Sequence, residues 1–192
     1  MSTPAIYSTT TQSGIDINNV FYLDTKTYPE YPAPPFIPGE FAWGTDGSTW
    51  TYCTASITLG TGSVVLISAT PGSWSVALVG GATVATTPTG QLVGVLGGTQ
   101  GTLLVGAPSG TQTGSYFWIQ RSGNAQNINC AASTTALSQL HSSATVGGQV
   151  TVTGGGTATT YQINGIVISV ATGSVAGPNS GILNFPVVGS GN

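Results

Sequence analysis

From Trp43 onward the chain consists of short runs in which large apolar residues alternate with small or polar ones. Residues 73–78 and 116–120 show this pattern clearly. A period of two is typical of β-strands with one buried face. Because Gly, Pro, Asn or Ser separate the runs, we expect an all-β fold, a β-sandwich or barrel of many short strands. The predicted strands are residues 50–55, 63–69, 73–79, 92–96, 102–105, 115–121, 126–130, 149–153, 161–169 and 182–188.

Two connecting segments carry specific expectations. The triplet 122–124, Ser-Gly-Asn, predicts a tight turn that separates two strands. Residues 133–141 begin with serine, a good helix cap, and carry Leu137 and Leu140 three positions apart. This segment favours one short helix, although its threonines lower the helix propensity.

The first part of the chain has a different composition. Prolines recur through residues 28–39, and proline fixes φ and biases the preceding residue towards extended conformations. We therefore predict an extended Pro- and aromatic-rich N-terminal arm, residues 1–42, followed by a β-rich globular domain, residues 43–192. Aromatic side chains are enriched at interfaces, so we expect the arm to lie along a neighbouring surface. A disordered tail is the alternative. The aromatic residues expected to make this contact are Phe21, Tyr22, Tyr28, Tyr31 and Phe36.

Formal charge is nearly absent after the arm. In the whole chain only 4 % of the residues are charged, against about a quarter in ordinary soluble domains. A surface of this kind offers little repulsion between copies, which favours association. We expect a component of a larger assembly and a homo-oligomer, with a secreted Thr-rich β-domain as the alternative. The net charge of −3 leaves no basic patch for nucleic acid. No apolar run has the length of about 20 residues that spans a membrane.

Arg121 is the one Asp, Glu, Lys or Arg between Gly47 and Asn192. Its planar guanidinium suits a carboxylate, so it either clasps an acid of a neighbouring subunit or of the arm, or is an exposed charge at a strand end. The two cysteines, Cys53 and Cys130, leave a disulfide open as an alternative. Since the N-terminus shows no secretory signal pattern, we expect two reduced, buried thiols.

No arrangement of residues predicts catalysis. The single histidine, His141, would need an acid and a nucleophile beside it, whereas every carboxylate lies before Gly47. The turn at residues 46–48 lacks the alternating acids of a calcium loop, and two distant cysteines with one histidine do not form a zinc site. We therefore expect no enzyme activity, no cofactor and no metal.

Several motifs occur in a characteristic order along the chain. They are Gly-x-Asp-Gly-Ser-x-Trp-x-Tyr at 44–52, a strand ending in β-branched pairs at 62–67, Tyr-x-Trp-Ile-Gln-x-x-Gly at 116–123, Cys-Ala-Ala at 130–132, an alanine- and threonine-rich stretch at 133–146, and Ile-Asn-Gly-Ile at 163–166. In this order they resemble the capsid decoration, or cement, proteins of tailed bacteriophages. The likeness covers about residues 44–170 and leaves the N-terminal arm unmatched.

The resemblance implies a structural virion protein without catalysis. Such a protein binds the major capsid protein on the outside of an icosahedral phage capsid and stabilises the shell, after assembly in the host cytoplasm. The alternative is a receptor- or glycan-binding fibre or adhesin module of the virion, since exposed Trp and Tyr beside Asn and Ser suit sugars.

Overall fold

Every regular element that the structure describes is a β-strand, so the all-β prediction is confirmed. The structure is a computed structural model, and it describes residues 6–7, 15–17, 20–22, 34–55, 57–70, 73–80, 90–97, 115–152 and 160–189. Within these ranges no helix has the length and apolar character needed to cross a membrane.

The described strands form a two-stranded parallel sheet, β1 with β2, and one sheet of 11 strands. They are β1 (Ile6–Tyr7), β2 (Ile15–Asp16), β3 (Phe21–Tyr22), β4 (Phe41–Trp43), β5 (Thr49–Ala55), β6 (Val64–Thr70), β7 (Ser73–Leu78), β8 (Leu92–Val95), β9 (Ser115–Cys130), β10 (Leu140–Ser142), β11 (Val150–Thr151), β12 (Gln162–Ile168) and β13 (Gly177–Val188).

The 16-residue strand β9 connects the two halves of the large sheet. Its N-terminal half pairs antiparallel with β5, and its C-terminal half pairs antiparallel with β13. The predicted turn at 122–124 is therefore wrong, because the strand continues through it. Ser122 pairs with both Thr49 and Asn184, and Gly123 takes up the local distortion at φ +91°. Residues 122–124 favour a turn when considered alone, but pairing with strands on both sides keeps them extended.

The strand pairings around the N-terminal half of β9 form a closed cycle. It runs from β5 to β9, β8, β6 and β7, and a parallel contact between Thr54 and Ser75 returns it to β5. One apolar cluster is made of side chains from these strands and their connections. Its buried members are Cys53, Ala55, Leu59, Val65, Ile67, Val76, Leu96, Phe117 and Ile119.

A second closed cycle surrounds the C-terminal half of β9. It runs from β9 to β13, β12, β10 and β11, and the pair of Val150 with Cys130 closes it. Its cluster also includes Val64 and Leu66 of β6, whereas Val65 and Ile67 belong to the first cluster. The first four residues of β6, from Val64 to Ile67, are therefore buried on both faces, whereas the last three are exposed.

A third cluster covers the outer face of β5 and β9. Trp50, Tyr52 and Trp118 pack there with Ile17 and Ala42, and Phe36 contributes a partly buried ring. The proposed division between residues 42 and 43 falls inside β4. Ile17, Phe36 and Ala42, which precede that division, are thus part of the packed body.

The predicted short helix at residues 133–141 is wrong. The segment consists of turns, with Ser133 and Leu137 at positive φ, and its last two residues begin β10. The N–H of Thr134 donates to the hydroxyl of Thr172, and the Thr134 hydroxyl donates to the carbonyl of Ala131. The N–H of Leu137 donates to the carbonyl of Ile168, and the carbonyl of Thr134 accepts from the N–H of Thr172, so groups that a helix would pair within the segment are paired elsewhere. The predicted strand 102–105 lies outside the described residues.

Both cysteines are free and buried, as the sequence suggested. Cys53 lies in the first cluster and Cys130 in the second. Burial raises the pKa of Cys53 to about 12 and that of Cys130 to about 11. Both side chains therefore remain protonated thiols at neutral pH, which are poor nucleophiles.

Candidate interaction surface

Strand β4 is the last strand in the described order of the large sheet, where it pairs with β5. The N–H of Tyr52 donates to the carbonyl of Glu40 over 2.9 Å, and the N–H of Gly44 donates to the carbonyl of Ser48 over 2.8 Å. In an antiparallel ladder every second residue faces the partner strand. The N–H and C=O groups of the residues between, Phe41 and Trp43, therefore point away from β5.

The side chains on this edge are apolar and exposed. Phe41 is 59 % exposed and Trp43 is 54 % exposed, whereas Ala42 between them is buried. We call Phe41 and Trp43 the edge patch. The Phe41 ring packs edge-on against Trp74, with ring centres 6.5 Å apart, which orients it.

A tight turn holds β4 against β5. The carboxylate of Asp46 accepts hydrogen bonds from the N–H of Ser48 at 2.9 Å and from the Ser48 hydroxyl at 2.6 Å. Gly47 takes φ +81°, as a turn of this kind requires. Burial alone would raise the pKa of Asp46, but these hydrogen bonds outweigh it and lower that pKa below its ordinary value. The indole N–H of Trp50 donates to the same Ser48 hydroxyl, so the turn is tied to the aromatic cluster.

Two of the aromatic residues predicted to contact a partner pack against rings of this chain. Phe36 lies edge-on to Tyr52 and to Trp118, with ring centres 5.3 and 5.2 Å apart. Phe21 pairs in register with Tyr116, and their rings are 6.2 Å apart. For both residues the contact that the structure shows is internal.

The other predicted arm contacts are less defined. Tyr22 pairs in register with Ser115, so its backbone belongs to the sheet. Tyr28 and Tyr31 lie outside the described residues, as do the acids Asp24 and Glu30. Their proposed contact with a neighbouring surface stays a prediction.

Arg121 lies in the middle of β9 and is only 4 % exposed. The alternative of an exposed charge at a strand end is therefore wrong, because the strand continues through this residue. Its Nε has no hydrogen-bond partner among the described residues. Burial lowers the pKa of Arg121, an effect that the nearby Cys53 partly opposes. Almost none of its side chain is accessible to a neighbouring subunit, so Arg121 does not belong to the exposed surface.

A second apolar patch lies on the outer face of the other cycle. Val167 of β12 and Ile182 of β13 are direct cross-strand neighbours, and they are 42 % and 51 % exposed. On the far side of Ile182 lies Asn124, which is exposed and uncharged. We call Val167 and Ile182 the face patch. Because β13 is paired on both sides, Ile182 offers its side chain and no open backbone edge.

Reactive groups are scattered over the described part of the chain. No three His, Cys, Asp or Glu side chains come together there in a way that would hold a metal ion. His141 is half-buried on β10, in register with Gln162 and Thr151, and its Nδ1 has no hydrogen-bond partner there. Of the acids that the structure describes, Glu40 and Asp46 flank β4 and Asp16 lies on β2. These positions assemble no nucleophile, base and acid around one point.

Sequence reasoning missed the edge patch, although a signal was present. Phe41, Ala42 and Trp43 alternate large, small and large directly before the turn. The alternation is typical of a strand. Because proline-rich residues precede these three positions, the predicted boundary divides them between the end of the arm and the start of the domain.

Comparisons with known proteins found no match, whether with protein-family models, with curated proteins or with solved structures.

Proposed function

We propose that this chain is a structural protein of a tailed-phage virion that decorates the outside of an icosahedral capsid and binds the major capsid protein. The observation that supports this most is the face patch, an exposed apolar cross-strand pair on a sheet face with almost no charge. Val167 and Ile182 stand on strands whose backbones are already paired, so they form a rigid platform. A rigid apolar platform without charge suits attachment to another protein better than recognition of an ionic ligand.

The near-absence of charge determines how such attachment would behave. Between residues 47 and 192 the single formal charge is Arg121, and it is buried. Attachment would then rely on apolar contact and on many copies, since repeated weak contacts on one shell add to a high total affinity. It should persist at about 1 M NaCl, where charges are screened beyond about 3 Å.

The experiment measures binding of the purified chain to empty phage heads assembled without it. We expect saturable binding of many copies per head, little changed by salt. The double variant Val167→Thr and Ile182→Thr keeps β-branched side chains on both strands and should bind at least tenfold more weakly. The matched control, Ile57→Thr and Val146→Thr, changes one exposed isoleucine and one exposed valine elsewhere and should bind as the original chain does.

Two results would contradict the proposal. One is equal binding by the face variant and by its control, which would show that the face patch does not take part in binding to the heads. The other is binding to a few sites at a vertex or tail together with retention on a glycan surface. That outcome would favour the receptor- or glycan-binding module of the virion.

A further inference from the structure

We propose that Arg121 and Thr51 bind one small halide anion, such as chloride, inside the first cycle of strands. The inference goes beyond the proposed attachment to a capsid and does not depend on it. It starts from two buried polar groups that face the same interior and have no hydrogen-bond partner among the described residues.

Thr51 directs its side chain into the first cycle. Along β5, Trp50 and Tyr52 belong to the outer aromatic cluster, whereas Cys53 belongs to the first cluster. Since side chains alternate between the two faces of a strand, Thr51 lies on the same face as Cys53. Thr51 is fully buried, and its Oγ1 is one of the two unpartnered atoms.

Arg121 enters the same interior from β9. A Cβ added to Gly94 would lie 3.4 Å from the Cδ of Arg121 and would overlap the side chain of Ile119, a member of the first cluster. The stem of Arg121 therefore runs beside Ile119, and Ile119 is the direct cross-strand partner of Thr51. This places the two unpartnered groups on adjacent strands of one interior face.

A β-bulge determines the direction of Arg121. Trp50 pairs with Gln120, and the preceding residue of β5, Thr49, pairs with Ser122. Arg121 is therefore the extra residue of β9 at this point. Bulges of this kind re-aim a side chain and are often found beside functional sites.

No opposite charge neutralises Arg121 in the part of the chain that the structure describes. The ionisable group that acts on its guanidinium is Cys53, which is a neutral thiol at neutral pH. The carboxylate of Asp46 is held by Ser48 in the β4–β5 turn. Arginine does not lose its proton in proteins, and a buried charge without a counter-charge is strongly unfavourable. A bound anion removes that cost.

The groups present select a halide over other ligands. The Nε–H of arginine only donates, and the threonine hydroxyl can donate, so both suit a ligand that accepts. Water accepts as well, but it leaves the positive charge uncompensated. Sulfate or phosphate has four oxygens, for which two buried side chains supply too few donors. Because Arg121 is only 4 % exposed, the ligand also has to be small.

The test is urea unfolding of the full chain in about 5 mM to about 500 mM chloride, with gluconate, an anion too large for the site, holding the ionic strength constant. We expect a dissociation constant within this range. Above it, each tenfold rise in chloride should lower the equilibrium constant of unfolding about tenfold, because the anion binds the folded chain only. Arg121→Met keeps a long unbranched stem without the charge, and its unfolding should not respond to chloride.

A second variant tests the hydroxyl. Thr51→Val keeps the shape of the side chain and removes one donor, so it should bind chloride roughly threefold to tenfold more weakly. The matched control is Thr54→Val, a threonine on the other face of the same strand, which should respond to chloride as the original chain does. If Arg121→Met does not fold, Thr51→Val and this control decide.

Three results would overturn the inference. The first is an original chain whose unfolding does not respond to chloride, or responds no more than that of Arg121→Met. The second is an equal response in Thr51→Val and Thr54→Val. The third is a response that becomes larger in the variant Asp24→Asn and Glu30→Gln, which would show that a carboxylate of this chain occupies the site instead.

Discussion

The two halves of β9 belong to one strand but have opposite environments. From Ser115 to Arg121 nearly every residue is buried, because one face lies in the first cycle and the other under the aromatic cluster. From Ser122 to Cys130 buried residues are interspersed with exposed ones, because one face meets the second cluster and the other meets solvent. The difference shows that residues before position 43 help to bury the first half of β9.

The cover on the first half consists mainly of aromatic rings. Phe36 lies over Tyr52 and Trp118, and Ala42 of β4 is buried in the same cluster. No described residue forms an equivalent cover over the second half, where Asn124 and Gln126 are exposed. Stability should therefore depend on side chains of the first half far more than on outward side chains of the second.

The largest expected effect comes from shortening the central ring of the cluster. Trp118→Ala removes a side chain that is 1 % exposed and in contact with two other rings. We expect the free energy of unfolding to fall by about 3–5 kcal/mol, the usual cost of removing a buried tryptophan or phenylalanine. Urea unfolding measures it.

The matched change on the other half of the same strand is Gln126→Ala. Its side chain is exposed, so we expect a change within about 0.5 kcal/mol. Comparable losses in the two variants would show that the two halves do not differ as described.

The point where the two halves meet gives the next largest effect. Gly123 has φ +91°, and a Cβ added there would lie 2.8 Å from the Cα of Ser48. Gly47 has a similar φ, +81°, but a Cβ there would meet nothing within 4 Å. Gly47→Ala should cost about 1 kcal/mol for the backbone conformation alone. Gly123→Ala should cost roughly 2–3 kcal/mol, because the backbone of Ser48 has to move as well.

Urea unfolding of the two glycine variants isolates the contact between β9 and the β4–β5 turn. The difference between the two losses is the quantity of interest, since the strain from positive φ is common to both. Equal losses would mean that the turn adapts freely and does not fix the junction of the halves.

Much of this comparison was readable from the sequence. The apolar run Tyr-Phe-Trp-Ile at 116–119 and the polar residues of 122–129 already differ in pattern. What local pattern does not show is the partner on each side. Ser-Gly-Asn at 122–124 favours a turn when considered alone, and pairing with Thr49 and Leu183 overrides that preference.

The candidate surface was less predictable than the fold. Phe36 and Arg121 were singled out because aromatic residues and isolated charges often mark interfaces, yet burial depends on which distant strands fold over them. Exposure of Phe41 and Trp43 depends in turn on β4 being the last strand of its sheet. Strand order is a non-local property, and a single sequence does not reveal it.

The smallest expected effect is electrostatic and concerns the turn that positions the cover over the first half. Hydrogen bonds from Ser48 lower the pKa of Asp46 in the folded chain below its ordinary value of 3.8, despite the opposing effect of burial. A depressed folded pKa stabilises the protein above the ordinary pKa, and this stabilisation is lost as the pH falls through the folded value.

Asp46→Asn keeps an acceptor oxygen but carries no charge. At about pH 6 the original chain should therefore have a higher free energy of unfolding than this variant, and at about pH 3 that difference should be smaller. Urea unfolding at the two pH values measures the difference. A constant difference would mean that the carboxylate charge does not stabilise the turn. The cover over β9 would then depend on the rings and on Gly123 alone.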